Sequence, residues 1–247
     1  MDFSLILVVN DMEAYKGFLE NVKTQNGVIY EITPVYNIGN KKFESAREAL
    51  AFGAKTATGK YLIFLHQDIR FETEDVLLTL LKYLESIPDF GVIGIAGTPK
   101  ELVNGKRIIL STIKHGLYRE SVGTTITKPT RVQTVDECFF IQSREYYNKV
   151  QFSPKEGWHL YAVEQCLRAE QDGLINYVVP ADIWHLSNGK SLDPNYVIQL
   201  SMLCKEYENK YDYINTTVKK WKTKGFLSKI YRAYYYCKQI IKRKLVR

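Results

Sequence analysis

Five apolar residues, Tyr61-Leu62-Ile63-Phe64-Leu65, run without a break and stop at His66-Gln67-Asp68. So short an apolar run, entered from Thr58-Gly59, predicts a strand buried on both faces, as in a parallel sheet covered by helices. Ligands of open α/β sheets bind beyond the carboxyl ends of the strands. His66 and Asp68 therefore stand where chemistry is usually done. On an extended chain they alternate with Gln67 and point to one side, where both can reach a single divalent ion. An Asp after a strand also serves as a turn former or helix N-cap, and the surrounding sequence has to decide between these roles.

Upstream, the strand–helix alternation is regular. Ser4–Val9 reads as a buried first strand ending at Asn10-Asp11, and Glu13–Thr24 as an amphipathic helix with Tyr15, Phe18, Leu19 and Val22 on one side. Val28–Tyr36 is a second strand with a Pro inside it, followed by a loop at Asn37-Ile38-Gly39-Asn40. Ser45 predicts an N-cap with Glu48 as its capping-box partner. Ala46, Ala49, Leu50, Gly53 and Ala54 give that helix a small-residue face that approaches a sheet closely. The strand Tyr61–Asp68, a helix over Thr73–Glu85 capped by Thr73, and a strand over Phe90–Ala96 complete a pattern that predicts a parallel sheet with helices on both faces.

From Lys100 to Thr134 the pattern loosens into a connection expected to fold over a site. Val132–Gln142 then reads as a strand carrying Asp136 and Glu137, and Gly157–Glu170 as a helix with Trp158, His159, Tyr161 and Glu164. Leu174–Pro180 is a strand, and Asp182–Gly189 a polar loop containing Trp184 and His185.

These blocks resemble glycosyltransferase family 2. There a small-residue helix leads through A-x-G-x-Y, here Ala57-Thr58-Gly59-Lys60-Tyr61, into a strand ending in D-x-D. The chain most resembles the bacterial subgroup with HQD at that place. A second block, Trp158-His159-Leu160-Tyr161 with Cys166-Leu167-Arg168-Ala169 and Gly173, then Trp184-His185-Leu186-Ser187, is similar to the family's acceptor-side helix and late metal-binding His. Together they span roughly residues 3 to 191. The resemblance implies a GT-A-like, Rossmann-like α/β fold with a mostly parallel sheet and further C-terminal helices. The organisation expected from it is a GT-A-like domain over residues 1–200 and a basic helical extension over 201–247.

It also implies metal-dependent, inverting transfer of a sugar from a nucleotide sugar, a UDP-sugar first, to a polysaccharide or glycolipid acceptor. A divalent ion bridging a diphosphate stabilises the charge that grows as the sugar leaves. Oxygen ligands suit Mg²⁺ or Mn²⁺, and imidazole tilts the choice to Mn²⁺. Asp68 is the first ligand, His185 the second and His66 the third. Val8, Val9, Asn10, Asp11, Asn37, Arg47 and Gln67 would border the nucleotide. The base that takes the acceptor proton is to be found among Asp136, Glu137 and Glu164, with Asp136 first. Glu164 equally fits an exposed helix charge paired with Arg168. The chain departs from the family at His66, which replaces an acid, at Asn37, which stands for the acid of the second strand, and at Tyr161-Ala162, which replaces an acidic pair. Two rival readings are a catalytically inactive GT-A relative that binds a partner and a nucleotidyltransferase. The latter should show a Gly-rich phosphate loop near the N-terminus, and none is visible.

Charge is unevenly spread. Residues 213–247 hold eleven Lys and Arg and no Asp or Glu, which leaves residues 1–212 at −4 against +7 for the whole chain. A nucleic-acid partner does not follow from that distribution. In the tail, Phe226, Ile230, Tyr234, Cys237, Ile241 and Leu245 recur every three or four residues, with Lys229, Arg232, Lys238, Lys242 and Arg243 over much of the rest. A basic amphipathic helix of this kind reads as a membrane-surface element, the alternatives being packing on the protein's own body or on a second subunit. The four scattered cysteines show no CxxC spacing, which disfavours zinc and predicts reduced thiols. With no basic leader and no membrane-length apolar run, the expected location is the cytoplasm, peripheral to the membrane's inner face at most.

Overall fold

The computed structural model describes residues 1–187 and 192–245. The strands in chain order are β1 (Phe3–Val9), β2 (Tyr30–Tyr36), β3 (Tyr61–Leu65), β4 (Ile69–Phe71), β5 (Phe90–Gly94), β6 (Ala96–Thr98), β7 (Leu110–Ser111), β8 (Lys114–His115), β9 (Glu120–Ser121), β10 (Thr130–Val132), β11 (Thr134–Val135), β12 (Phe139–Ser143), β13 (Ile175–Val178), β14 (Ile183–His185), β15 (Tyr213–Asn215) and β16 (Lys220–Lys222). The helices are α1 (Met12–Val22), α2 (Ala46–Ala54), α3 (Val76–Ser86), α4 (Arg144–Lys149), α5 (Tyr161–Gln171), α6 (Pro194–Tyr207) and α7 (Phe226–Leu245).

The central sheet has the order β10-β13-β5-β12-β3-β1-β2. Strands β1, β2, β3, β5 and β13 run in one direction, while β10 and β12 run against it. The sheet is therefore mostly parallel, with β12 inserted antiparallel beside β3. Pro34 is tolerated because β2 is the edge strand, where a missing ladder donor costs little.

Helices cover both faces, and strand alternation shows it residue by residue. Leu5, Leu7, Ile63 and Leu65 join α1 and α3 in one apolar cluster. Ile6, Leu62 and Phe64 join α2, α4 and α5 in another. The small-residue face of α2 has a steric cause: a Cβ on Gly53 would lie 2.7 Å from Ile6 Cγ2 and 2.8 Å from Val35 Cγ2. Ser45 caps α2 by accepting from the Glu48 amide.

Several boundaries differ from the sequence reading. β3 ends at Leu65, and His66-Gln67-Asp68 forms a turn into β4, with Ile69 N donating to His66 O at 3.3 Å. The helix expected from Thr73 starts at Val76, because the Thr73 hydroxyl is spent on Asp75. Val132–Gln142 is broken at Gln133 and at residues 136–138, so that it falls into β10, β11 and β12. Leu160 has φ of +61°, so α5 begins only at Tyr161 and leaves Trp158 and His159 in the preceding loop. A left-handed non-glycine residue is strained by roughly 1–2 kcal/mol. Within the stretch expected as a loop, Ile183–His185 is instead a strand; Asn188 and Gly189 lie outside the described residues.

The expected division at residue 200 falls inside α6. One apolar cluster joins Leu160, Val163 and Leu167 of α5 to Leu200 and Leu203 of α6 and on to Ile214 and the fully buried Trp221. The C-terminal segment is thus packed into the same body, and its burial around Trp221 is not a property that a basic tail announces.

Candidate active site

Three elements meet at the carboxyl end of β3. The turn after β3 carries His66 and Asp68. Strand β14 pairs antiparallel with β4, placing His185 opposite Ile69. Strand β8 lies parallel to β14 on its other side, with His115 opposite His185. Because β4 follows the turn at once, its pairing with β14 draws the late histidine onto Asp68. Leu186 N donates to Asp68 O at 3.1 Å, Ser187 N donates to Asp68 Oδ2 at 3.2 Å, and His185 Nε2 lies 3.3 Å from Asp68 Oδ1. Ligand atoms of His66, Asp68 and His185 all fall within 4.8 Å of one another. The shared direction of His66 and Asp68 comes from the turn and not from strand alternation.

The electrostatics favour a cation here. Burial pushes the Asp68 carboxyl up, but the hydrogen bond and charge of His185, aided by His66, bring it down to about 2. His66 is held below its usual range by burial and then by His185, so its imidazole is neutral and able to ligate. His185 Nδ1 is buried with no partner among the described residues. Two imidazoles and an ionised carboxylate form a mixed nitrogen–oxygen donor set, which fits Mn²⁺ well and Mg²⁺ less well.

Two cavities flank the cluster. The larger, about 680 Å³, is lined by all four histidines of the chain together with Asp136 and Glu137. The smaller, about 540 Å³, is lined by Val8, Asn10, Asp11, Gln67, Asp68 and Trp158 among others. His66, Glu137 and His159 line both. Glu137 therefore sits where the two spaces join. Its Oε1 is buried with no hydrogen-bond partner among the described residues. Burial, then the charge of Asp136, pushes its carboxyl up to about 8.

Asp136, placed first in the sequence reading, is the better satisfied of the two. Its Oδ1 accepts from Cys138 N at 3.1 Å and its Oδ2 from the Thr217 hydroxyl at 2.6 Å. Burial raises its carboxyl, but these bonds outweigh burial and hold it below the usual range. Asp136 ties the turn before β12 to the C-terminal segment and charges the floor beneath Glu137.

Other expected site residues are placed elsewhere. Glu164 does not face a cavity: Arg47 Nη2 lies 2.9 Å from its Oε2, Lys155 Nζ 2.5 Å from its Oε1, and Ser153 Oγ donates at 2.9 Å. The pairing expected with Arg168 is absent, since Arg168 donates to Gln151 O. Arg47 is equally withdrawn from the nucleotide role, buried with Glu164 and donating to His159 O at 3.2 Å. Asn37 is fully buried, donating to Phe43 O and accepting from Lys42 N and Phe43 N, so it closes a loop. Val9 points into the core. Asn10, Asp11 and Gln67 do edge the smaller cavity, where Gln67 Oε1 accepts from both Asn10 N and Asp11 N. Asp11 also caps α1, accepting from Glu13 N and Ala14 N. The turn and the cap readings thus hold alongside the cavity-lining position.

Three participants went unassigned in the sequence. His115 reaches the cluster, its ring 5.5 Å from that of His185, through a strand pairing seventy residues apart in sequence. His159 Nε2 lies 3.2 Å from Asp193 Oδ1, which accepts from it, and His159 lines both cavities. Thr217 comes from the C-terminal segment. A count of histidines, four in all, was the one signal that could have drawn the two histidines in; nothing in the sequence pointed to Thr217.

Comparison with known proteins agrees with this architecture. Residues 4–210 match the model of a family described as glycosyltransferase like. A protein of Fuscovulum blasticum, ATP synthase subunits region ORF 6, is 27% identical over 134 residues, which is 51% of each chain. The chain thus spans about half the length of that curated relative. Among solved structures, S. aureus TarS in complex with UDP-GlcNAc superposes with a TM-score of 0.59 at 14% identity, covering 85% of this chain and 67% of that one. The mannosyltransferase PcManGT from Pyrobaculum calidifontis, in complex with GDP-Man and Mn²⁺, superposes with a TM-score of 0.55 at 12% identity, covering 82% and 61%. At such identities the likeness is one of fold, the GT-A arrangement.

Proposed function

Since this chain belongs to the glycosyltransferase-like family, we propose that it transfers a sugar from a nucleoside-diphosphate sugar to a hydroxyl of a saccharide or lipid-linked acceptor. The observation that carries this reading is the His66–Asp68–His185 cluster at the carboxyl end of β3, open to two cavities that share Glu137. The smaller cavity, beside Val8, Asn10 and Asp11, takes the nucleotide. The larger takes the acceptor. Solved structures of the same fold hold UDP-GlcNAc in one case and GDP-Man with Mn²⁺ in another, which supports the donor class and the cation together. We read the donor as a UDP-sugar first, and the HQD turn as this chain's form of the family's D-x-D.

His66, Asp68 and His185 would hold the divalent ion, which supplies positive charge to the departing diphosphate. The protein's own groups do the rest. Neutral His66 and ionised Asp68 present lone pairs without a competing proton. Glu137, unpartnered at Oε1, accepts the proton of the acceptor hydroxyl as that oxygen attacks the anomeric carbon and the bond to the diphosphate breaks. Attack from the side opposite the diphosphate gives inversion. A base of this kind contributes about 10²–10⁴-fold, most effectively when its pKa lies near the working pH. Burial, and then the charge of Asp136, keeps Glu137 basic.

Free thiols at all four cysteines, three of them buried, accord with a cytoplasmic setting. The deciding experiment is release of free sugar or transfer to small acceptors across a panel of nucleoside-diphosphate sugars, with Mn²⁺, Mg²⁺ or chelator. Turnover with one donor that requires the cation and disappears in Asp68→Ala is expected. Binding without turnover for every donor would move the chain to the inactive-relative reading. Incorporation of a nucleotide in place of a sugar would make it a nucleotidyltransferase.

A further inference from the structure

The last helix turns its apolar side outward. The sequence pattern leaves open whether the stripe that includes Phe226, Ile230, Tyr234 and Ile241 meets a membrane, the body or a second subunit. In the fold, α7 docks through other residues. Ser228, Arg232 and Gln239 are buried, and Tyr235 and Tyr236 pack against the cluster around Trp221. Arg232 Nη1 donates to Lys222 O at 2.7 Å. That leaves Phe226 at 76% exposure, Leu227 at 79%, Tyr234 at 62% and Ile241 at 59%, with Ile230 also exposed. Lone exposed apolar residues are ordinary, but a continuous row on one helix is not.

The surroundings of the row say what covers it. Lys238 and Lys242 follow it along the helix, Lys229 and Arg243 stand on the opposite flank, and no acidic residue occurs anywhere in residues 213–247. A second copy of this chain laid against the same row would bring these like charges together, which is unfavourable. A surface that is apolar within and negative at its boundary complements the face in both respects. Aromatic residues with a polar tip, such as Tyr234, suit that boundary. The helix, at 20 residues, is about 30 Å long by its rise, yet no described helix is apolar enough to cross a membrane. The geometry therefore allows α7 to lie along a bilayer and not to span it.

We propose that α7 docks this protein on an anionic lipid surface, with Phe226, Leu227, Ile230, Tyr234 and Ile241 entering the headgroup boundary and the flanking lysines contacting lipid phosphates. Helix α7 meets, on its packed side, the turn that lines the larger cavity. Thr217 and Val218 line that cavity, while Lys219 places its Nζ over the rings of Tyr231 and Tyr235 at 4.7 and 5.4 Å. The membrane interaction does not depend on what the cavity catalyses, and it is measured without any turnover.

The test is flotation of the full chain with vesicles of phosphatidylcholine alone and of phosphatidylcholine mixed with phosphatidylglycerol, at low and high salt. Two full-length variants accompany it, Phe226→Ser/Leu227→Ser/Ile230→Ser and Lys238→Glu/Lys242→Glu. All the changed side chains are exposed, so circular dichroism and melting should match the parent. The parent is expected to float with the anionic vesicles only, and less so as salt rises. Each lysine near an anionic leaflet is worth about a fivefold change in partitioning, so the charge-reversed pair should weaken binding by about 25-fold or more. The serine variant should lose binding on the same vesicles. The proposal is overturned if the parent stays unbound at low salt, binds both vesicle types equally, or binds as well after either set of changes. It is also overturned if sedimentation shows a dimer that the serine variant abolishes, because the row then belongs to a second copy.

Discussion

Two acidic constellations lie on either side of α5's first turn, and they have opposite fates. Glu164 is surrounded by Arg47, Lys155 and Ser153, with every oxygen engaged. Glu137 is only partly buried, but its Oε1 is buried with no partner among the described residues, and the residue borders both cavities. Burial acts on both carboxyls in the same direction, upward. At Glu164 the guanidinium and ammonium charges overcome it and hold the acid ionised. At Glu137 the neighbouring Asp136 adds to it. The contrast separates two uses of a buried acid: a satisfied charge fastens α2 to α5, whereas an unsatisfied one is available to a substrate.

Exchanging the acids for amides should break the comparison cleanly. Glu137→Gln is expected to lower turnover by about 10²–10⁴-fold while leaving the melting temperature unchanged or higher. Glu164→Gln should do the reverse. It leaves Arg47 and Lys155 short of their partner, a loss of about 3–5 kcal/mol for a buried pair, seen as a lower denaturation midpoint with the folded fraction still active. If Glu164→Gln is the variant that kills turnover at full stability, the assignment of the base is wrong.

Next in size is the cation cluster. Asp68→Ala should reduce cation-dependent turnover by about 10²–10³-fold, the several kcal/mol a Lewis acid supplies, while circular dichroism reports an intact fold. His185→Ala should weaken nucleoside-diphosphate binding by about tenfold with Mn²⁺ and much less with chelator, an estimate in the range of altered metal affinity. Calorimetry under both conditions decides it, and equal loss in each would make the imidazole structural.

The smallest effects lie in pH. Turnover that depends on ionised Glu137 should climb with pH through a midpoint near 8 and level off only above it, and the limb should vanish in Glu137→Gln. Were Asp136 the base, the profile would be flat from mild acid upward, since its carboxyl lies below the usual range. Stability should move the other way at the two acids. Glu137 is raised on folding from 4.5 to about 8, so its favourable share is complete below 4.5 and is lost as pH rises through 8. Glu164 is lowered, so its share is present above 4.5 and fades as the protein is acidified. Melting of the two Gln variants across that range tests both signs.

Much of the fold was legible because it is written in local pattern. The unbroken Tyr61–Leu65 run, the alternation around it and the small side chains of α2 specify a covered, mostly parallel sheet, since each is a requirement of backbone approach or burial. The position of His66 and Asp68 at a strand's end was legible for the same reason. What pattern cannot give is which partners a polar side chain finds. Glu164 read equally as a candidate base and as an exposed helix charge until Arg47, from a helix 117 positions away, and Lys155, from the preceding loop, enclosed it. Asp136 and Glu137 are adjacent, and the sequence put Asp136 first; a threonine eighty-one positions away, Thr217, satisfies Asp136 and leaves Glu137 for a substrate. His115 joins His185 only through the pairing of two short strands. The outward turn of α7 is of the same kind: periodicity defined its apolar stripe, but the packing of Arg232, Tyr235 and Gln239 around Trp221 chose the side that faces out. Sequence alone determined that a mostly parallel sheet is covered by helices on both faces and that polar residues gather beyond its strands. Tertiary contact decided which of the charges there are satisfied, because that depends on groups brought together only when distant segments pack.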